Sequence, residues 1–172
     1  MKVFIGGSRN IKELDENVFC ALFDELNSNA QILVGDADGV DTEIQKFCKK
    51  HNYNNVIIFA SNGKARNNVG NFTVQNIAVE KGIYSKAFFE QKDIAMVNQA
   101  DYGLVIWDGK SKGSLNQLHR MVRQNKPCRV YLVEHKHWVT IESENVIKGL
   151  MSLRKTLNSN AHQLSFDAMG ST

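Results

Sequence analysis

The chain has 172 residues, 42% of them hydrophobic and 23% charged, a balance that excludes global disorder, collagen-like repeats and coiled coils. One domain of this length buries roughly 70% of the surface its unfolded chain exposes, so no disulfide or metal staple is called for. The net charge of +3, from 21 Lys and Arg against 18 Asp and Glu, is too small to mark a nucleic-acid coat.

From Met1 the chain passes directly into a strand pattern over Lys2 to Ile5. No export signal is expected, and no apolar run approaches the 18 or so residues a membrane span needs. Leu14, Val18, Leu22 and Leu26 then repeat every four residues, as on one face of a helix. A second strand pattern, Gln31 to Val34, precedes the stripe Val40, Ile44, Phe47 and Cys48, and a third covers Val56 to Ala60. Residues 61–85 break the rhythm with Ser61, Asn62, Gly63, Asn67, Asn68, Gly70 and Asn71, and read as an insertion over one end of a sheet. A helix bearing Lys92 and Asp93 leads into Ala100-Asp101 and the strand Tyr102 to Trp107. The stripe Leu115, Leu118 and Val122 follows, then a strand over Arg129 to Val133, an edge strand over Trp138 to Ile141 and a helix near Glu144 to Leu157. The tail at 158–172 reads as flexible. Continuous apolar strands alternating with amphipathic helices predict an α/β fold: a single Rossmann-like domain over 1–157 with a doubly wound, mostly parallel sheet.

Cys20, Cys48 and Cys128 lie far apart in apolar stretches without a C-x-x-C pair. They read as reduced core thiols, which favours a cytoplasmic location. Charge is uneven: seven Lys or Arg lie between Lys110 and Lys136 against Glu134 alone, whereas residues 12–25 carry five acids against Lys12. A local anion site fits this better than a broad basic face.

Three glycine-bearing turns fall at strand ends: Gly6-Gly7-Ser8-Arg9, Gly35 to Asp41, and Asp108-Gly109-Lys110-Ser111-Lys112-Gly113-Ser114. In open parallel sheets ligands bind beyond the carboxyl ends of the strands, where helix N-termini offer unpaired N–H groups. The candidate ligand-binding residues are Gly6, Gly7, Ser8, Arg9, Gly35, Asp38, Gly39, Asp41, Asp108, Gly109, Lys110, Ser111, Gly113 and Ser114. Their glycines would let backbone approach a phosphate, the serines add hydroxyl donors and Arg9 a bidentate fork. Asp38 or Asp41 either caps the second helix or accepts from ribose hydroxyls. Gly109-Lys110-Ser111 ends like a P-loop, but Gly103 is one residue too far upstream and lies in a strand. Asp36, Asp38 and Asp41 do not make a calcium loop, because Gly39 is misplaced and Phe47 stands where a bidentate acid belongs. His135 and His137 lack a third ligand, and no metal is assigned.

Together with Lys92-Asp93, Met96 and Ala100-Asp101, these turns resemble the SLOG superfamily over residues 1 to 133, and most nearly its YspA-like branch. The resemblance implies a pocket for nucleotide-derived ligands such as ADP-ribose or NAD derivatives, and assembly as a homo-oligomer. Relatives include phosphoribohydrolases of the LOG type, pyrimidine and molybdenum-cofactor carriers, sensor domains and DprA-type handlers of single-stranded DNA. The hydrolases carry Pro-Gly-Gly-x-Gly-Thr-x-x-Glu at the third turn. Here the Pro-Gly-Gly is missing, Ser114 replaces Thr and Gln117 replaces the catalytic Glu. Gln cannot transfer a proton at neutral pH, so the leading expectation is a binding protein, a sensor, carrier or sequestering module that takes a nucleotide-derived small molecule and requires no cofactor. Nucleic acid is not expected as a partner, nor is a membrane. Two alternatives stand beside it: an N-glycosidase using Asp93 or Glu80 as its acid, and a nucleic-acid-binding accessory protein using Lys110 to Lys136.

Overall fold

The computed structural model describes residues 1–79 and 86–152. Glu80 and the tail at 158–172, both singled out above, lie outside the described residues. In chain order the elements are β1 (Lys2–Gly7), α1 (Glu16–Asn27), β2 (Gln31–Gly35), α2 (Val40–Lys50), β3 (Val56–Ser61), β4 (Thr73–Ile77), α3 (Lys86–Gln99), β5 (Tyr102–Trp107), α4 (Lys112–Arg123), β6 (Cys128–Leu132) and β7 (His137–Ile141). A further helix, α5, covers 144–152.

The strands form one sheet in the order β4-β3-β2-β1-β5-β6-β7. Every neighbouring pair is parallel except β6 with β7. Alternate strand residues go to opposite faces. Val3, Ile5, Ile32, Val34, Ile58 and Ile106 pack with Val18 and Leu22 of α1 and Val40 and Ile44 of α2. Phe4, Leu33, Phe59, Val105 and Val130 pack with Met96 and Val97 of α3, Leu115, Leu118 and Met121 of α4, and Ile147 of α5. With both faces covered, the central strands bury almost every residue, which is why they read as unbroken apolar runs. The doubly wound, mostly parallel sheet is therefore present as expected.

Within 61–85, where an insertion was expected, β4 adds an edge strand parallel to β3. Thr73, Gln75 and Asn76 make it polar and only partly buried, so neither alternation nor a continuous run exposes it in the sequence. The connection over 62–72 contains no helix. Its asparagines bind backbone instead: Asn62 exchanges two 2.7 Å hydrogen bonds with Val79, and Asn68 two of 2.8 and 2.9 Å with Phe72. Cys48 and Cys128 are buried free thiols, but Cys20 is exposed, which corrects its reading as a core residue. It lies on the outer side of α1, away from the Val18–Leu22 stripe. Among the described residues no helix is long and apolar enough to cross a membrane.

The order of strands places β1 and β5 side by side, while the chain leaves their carboxyl ends toward opposite faces, to α1 and to α4. That divergence opens a crevice at the switch point, and the first and third glycine turns frame it.

Candidate functional site

The end of β1 is stapled to the end of β5. The Ser8 amide donates to the Ile106 carbonyl at 3.0 Å, the Ser8 hydroxyl accepts from the Asp108 amide at 3.1 Å, and it lies 3.4 Å from the Ser114 hydroxyl at the start of α4. Ser8 is fully buried, so its hydroxyl joins two strands and a helix rather than meeting a ligand. Gly7 has a similar reason: a Cβ there would lie 2.1 Å from the Ile106 carbonyl oxygen and 2.9 Å from Val40. A side chain at this position collides with the sheet before it could obstruct a phosphate.

In the third turn the Asp108 carboxylate accepts from the amides of Lys110 and Ser111, both at 2.8 Å. Those amides hold the carboxylate below its ordinary pKa despite the opposing effect of partial burial, and they are committed to the turn. Ser111 caps α4, its hydroxyl accepting from the Ser114 amide at 3.3 Å, and its carbonyl accepts from the Trp107 ring nitrogen at 3.0 Å. The amides of Lys112 and Gly113 in the first turn of α4 have no partner within the helix, as first-turn amides do not. Gly113 is exposed, and a Cβ there would meet Ser111 Oγ at 3.8 Å.

The second turn covers a buried charge cluster. Lys92 of α3, 3% exposed, places its Nζ 3.1 Å from Asp93 Oδ1 and 3.6 Å from Asp36 Oδ1. Asp36 also accepts from the Arg66 guanidinium at 2.7 and 3.2 Å and from the Arg66 amide at 3.0 Å. Asp41 Oδ2 accepts from the Ala37 amide at 3.1 Å. A Cβ on Gly35 would lie 2.2 Å from Asp41 Oδ2 and 2.7 Å from Lys92 Nζ, so the glycine makes room for the cluster, not for a ligand. Burial alone would discharge all these groups. It does raise Asp41, to about 6, against the pull of Lys92. For Lys92 the three carboxylates outweigh burial and raise its pKa, and for Asp36 the Arg66 hydrogen bonds outweigh burial and lower it. Gln45 fastens the 62–72 connection over this cluster, donating to the Gly35 carbonyl at 2.9 Å and accepting from the Val69 amide at 3.0 Å.

Above the cluster and between the turns lies a crevice of about 490 Å³. Of the expected site residues it brings together Gly7, Arg9, Asp41, Asp93, Asp108, Lys110, Ser111, Gly113 and Ser114. Gly6 is buried in β1, with a Cβ position 3.6 Å from Gln117 Nε2. Gly35 lies beneath the cluster. Gly39, at φ +81°, packs on the Arg9 backbone, and Gly109, at φ +73°, serves its turn. Asp38 is exposed and accepts from Asn67 Nδ2 at 3.1 Å, a loop contact outside the crevice. Lys92, Gln117, Asn10 and Ala37 also line it. Lys92 was visible in the sequence only within its motif and Gln117 only as the replacement of a catalytic Glu; that both line the crevice depends on the packing of α3 and α4. Among the described residues no three metal-ligating side chains converge.

The basic run from Lys110 to Lys136 does not make one face. Lys110 lines the crevice and exposed Lys112 follows it in α4. Arg120 pairs with Glu90 and Arg123 with Glu144, Lys126 donates to the carbonyls of Val97 and Asn98, and Arg129 lies over Trp138.

No protein-family model and no curated protein sequence matches the chain. Among solved structures it is similar to DNA processing protein A from Helicobacter pylori, described for its binding of single-stranded DNA, with a TM-score of 0.60 and 15% identity over 93% of this chain and 81% of that one. The shared Rossmann-like fold is the finding. It overturns the expectation of a small nucleotide-derived ligand such as ADP-ribose or an NAD derivative, and with it the expectation that nucleic acid is excluded. The exclusion rested on net charge, which sums over the whole surface, whereas phosphates respond to cations within about a Debye length, roughly 8–10 Å.

Proposed function

We propose that the chain binds single-stranded nucleic acid across the carboxyl ends of β1, β2 and β5. Arg9, Lys110 and Lys112 take phosphates, and the first-turn amides of Lys112 and Gly113 receive one more at the helix dipole. The observation that carries this reading is the switch-point crevice with Arg9 and Lys110 on its wall, on a fold shared with DNA processing protein A, which binds single-stranded DNA. The motif series framing the crevice supports membership of the YspA-like branch of the SLOG superfamily, and the free thiols suit a cytoplasmic setting.

The test is fluorescence anisotropy of a labelled oligonucleotide across a salt series. For a single strand, log Kd should vary linearly with log salt, and each of Arg9→Ala and Lys110→Ala should lower the slope by about 0.7. Failure of any single strand to bind at about 50 mM salt, or unchanged slopes in both variants, would overturn the proposal.

A further inference from the structure

Away from the crevice, the outer sides of α1 and α2 enclose an aromatic groove of about 470 Å³. Phe19 and Phe23 of α1 are 36% and 42% exposed. The Phe19 ring stacks on Phe47 of α2 with centroids 5.6 Å apart, Phe23 meets Phe47 edge-on at 5.0 Å, and the His51 ring lies 4.8 Å from Phe23. Clustered apolar surface rimmed by charge marks a contact with another macromolecule, because covering it removes apolar area from water. The rim identifies the partner. Both helices run in the same direction, since each returns from the carboxyl end of one of two parallel strands. Counted from the Phe19–Phe47 stack, Glu16 lies three residues earlier on α1 and Lys50 three residues later on α2, about 4.5 Å to either side along the helices. Both line the groove. Glu43 holds Lys46 at 2.8 Å, whereas neither Glu16 nor Lys50 belongs to an ion pair among the described residues.

We propose that this groove docks a second copy of the chain, α1–α2 face to α1–α2 face, reversed end to end about a twofold axis crossing the helices at the Phe19–Phe47 stack. That symmetry brings Lys50 of the partner subunit to the level of Glu16, and the converse pair forms by the same operation. The helix dipoles then oppose each other, which is their favourable arrangement. The phenylalanines of the two copies cover one another. A nucleic-acid strand in the same groove would meet the carboxylates of Glu16 and Glu43. Helices of 12 and 11 residues give a face only about 18 Å long, small for an obligate interface, so the dimer should form in the micromolar range. Arg9 and Lys110 line the crevice and not this groove. Association therefore leaves the crevice open, and the proposal is independent of the single-strand reading.

Sedimentation velocity of the full chain from about 1 to about 100 μM should show the 19.4 kDa species giving way to one of twice that mass. Phe23→Glu, at an exposed position, should weaken the dimer by roughly tenfold or more. Glu16→Lys and Lys50→Glu should each weaken it, and the two together should recover part of the loss, a rescue that damage to the fold does not produce. Cys20 lines the groove and is exposed, whereas Cys48 and Cys128 are buried, so the alkylation rate of the Cys20 thiol should fall as protein concentration rises. A monomer at about 100 μM overturns the inference. So does a dimer equally strong in Phe23→Glu, a double reversal no stronger than the single ones, or Cys20 alkylation that ignores concentration. A protein that stays monomeric but loses oligonucleotide affinity in Phe23→Glu would assign the groove to a nucleobase and overturn it as well. The concentration series and Cys20 alkylation of the unaltered protein are decisive even if a variant folds poorly.

Discussion

Asp41 carries its charge at neutral pH under protest. Its carboxyl is raised by burial from 3.8 to about 6, with Lys92 only partly offsetting the effect. The folded chain therefore holds this proton more tightly than the unfolded chain, and the stability linked to it is fully present below about pH 3.8 and lost as pH rises through 6. Asp41→Asn keeps an acceptor for the Ala37 amide and removes the titration. Its stability relative to the unaltered protein should rise between pH 4 and pH 7 by on the order of 2 kcal/mol. Urea unfolding at several pH values reads this directly, and a difference that stays flat across that window would show that Asp41 is not the titrating group. Asp36 and Asp108 titrate in the opposite sense, since hydrogen bonds hold both below the ordinary range, so the comparison must be between the two proteins at each pH and not along one curve.

At the scale of the element, α4 is the helix on which the site depends. Its start is fixed by Ser111 as cap, by Asp108 bridging two amides and by the Trp107 ring nitrogen on the Ser111 carbonyl. The stripe Leu115, Leu118 and Met121 then sets its rotation against the sheet. Ser111→Ala removes the cap acceptor from the Ser114 amide and should cost about 1 kcal/mol of stability. Because the same turn aims the Lys112 and Gly113 amides, oligonucleotide affinity should fall as well. Thermal melts beside anisotropy check both, and unaltered stability would mean that Asp108 alone holds the turn. The sequence showed Leu115 and Leu118 of the stripe and the Ser-Lys-Gly-Ser start of this helix, but offered Val122 where the structure buries Met121 and leaves Val122 partly buried. It did not show that the turn's own amides are consumed by Asp108, since that depends on a side chain folding back two and three residues.

For the whole molecule, the two apolar clusters lie on opposite faces of one sheet and are joined through the same strands. Trp107 belongs to one cluster and Trp138 packs against the other. If the sheet couples the two faces, the chain unfolds in a single transition. In Trp107→Phe and in Trp138→Phe, the fluorescence of the remaining tryptophan should share its urea midpoint with the far-ultraviolet circular dichroism of the same variant. Separate midpoints would show that one face opens before the other.

Periodicity is a local property, and it was enough to determine the class of this fold. Continuous apolar strands such as Lys2 to Ile5 and Tyr102 to Trp107, separated by stripes such as Val40, Ile44, Phe47 and Cys48, imply a two-sided parallel sheet because nothing else buries both patterns. The three glycine turns could be located at strand ends for the same reason. Their roles could not be read, because a glycine before a ligand and a glycine beneath a buried ion pair are identical as letters. Only the tertiary structure decided that Gly7 faces the Ile106 carbonyl, that Gly35 makes room for Asp41 and Lys92, and that Ser8 joins β1 to β5. It also decided where the cations lie: Arg9 and Lys110 line the crevice from positions about a hundred residues apart, while Arg120, Arg123, Lys126 and Arg129 lie elsewhere. A net charge of +3 carries none of this, since charge acts over distance in space and the sequence records distance along the chain.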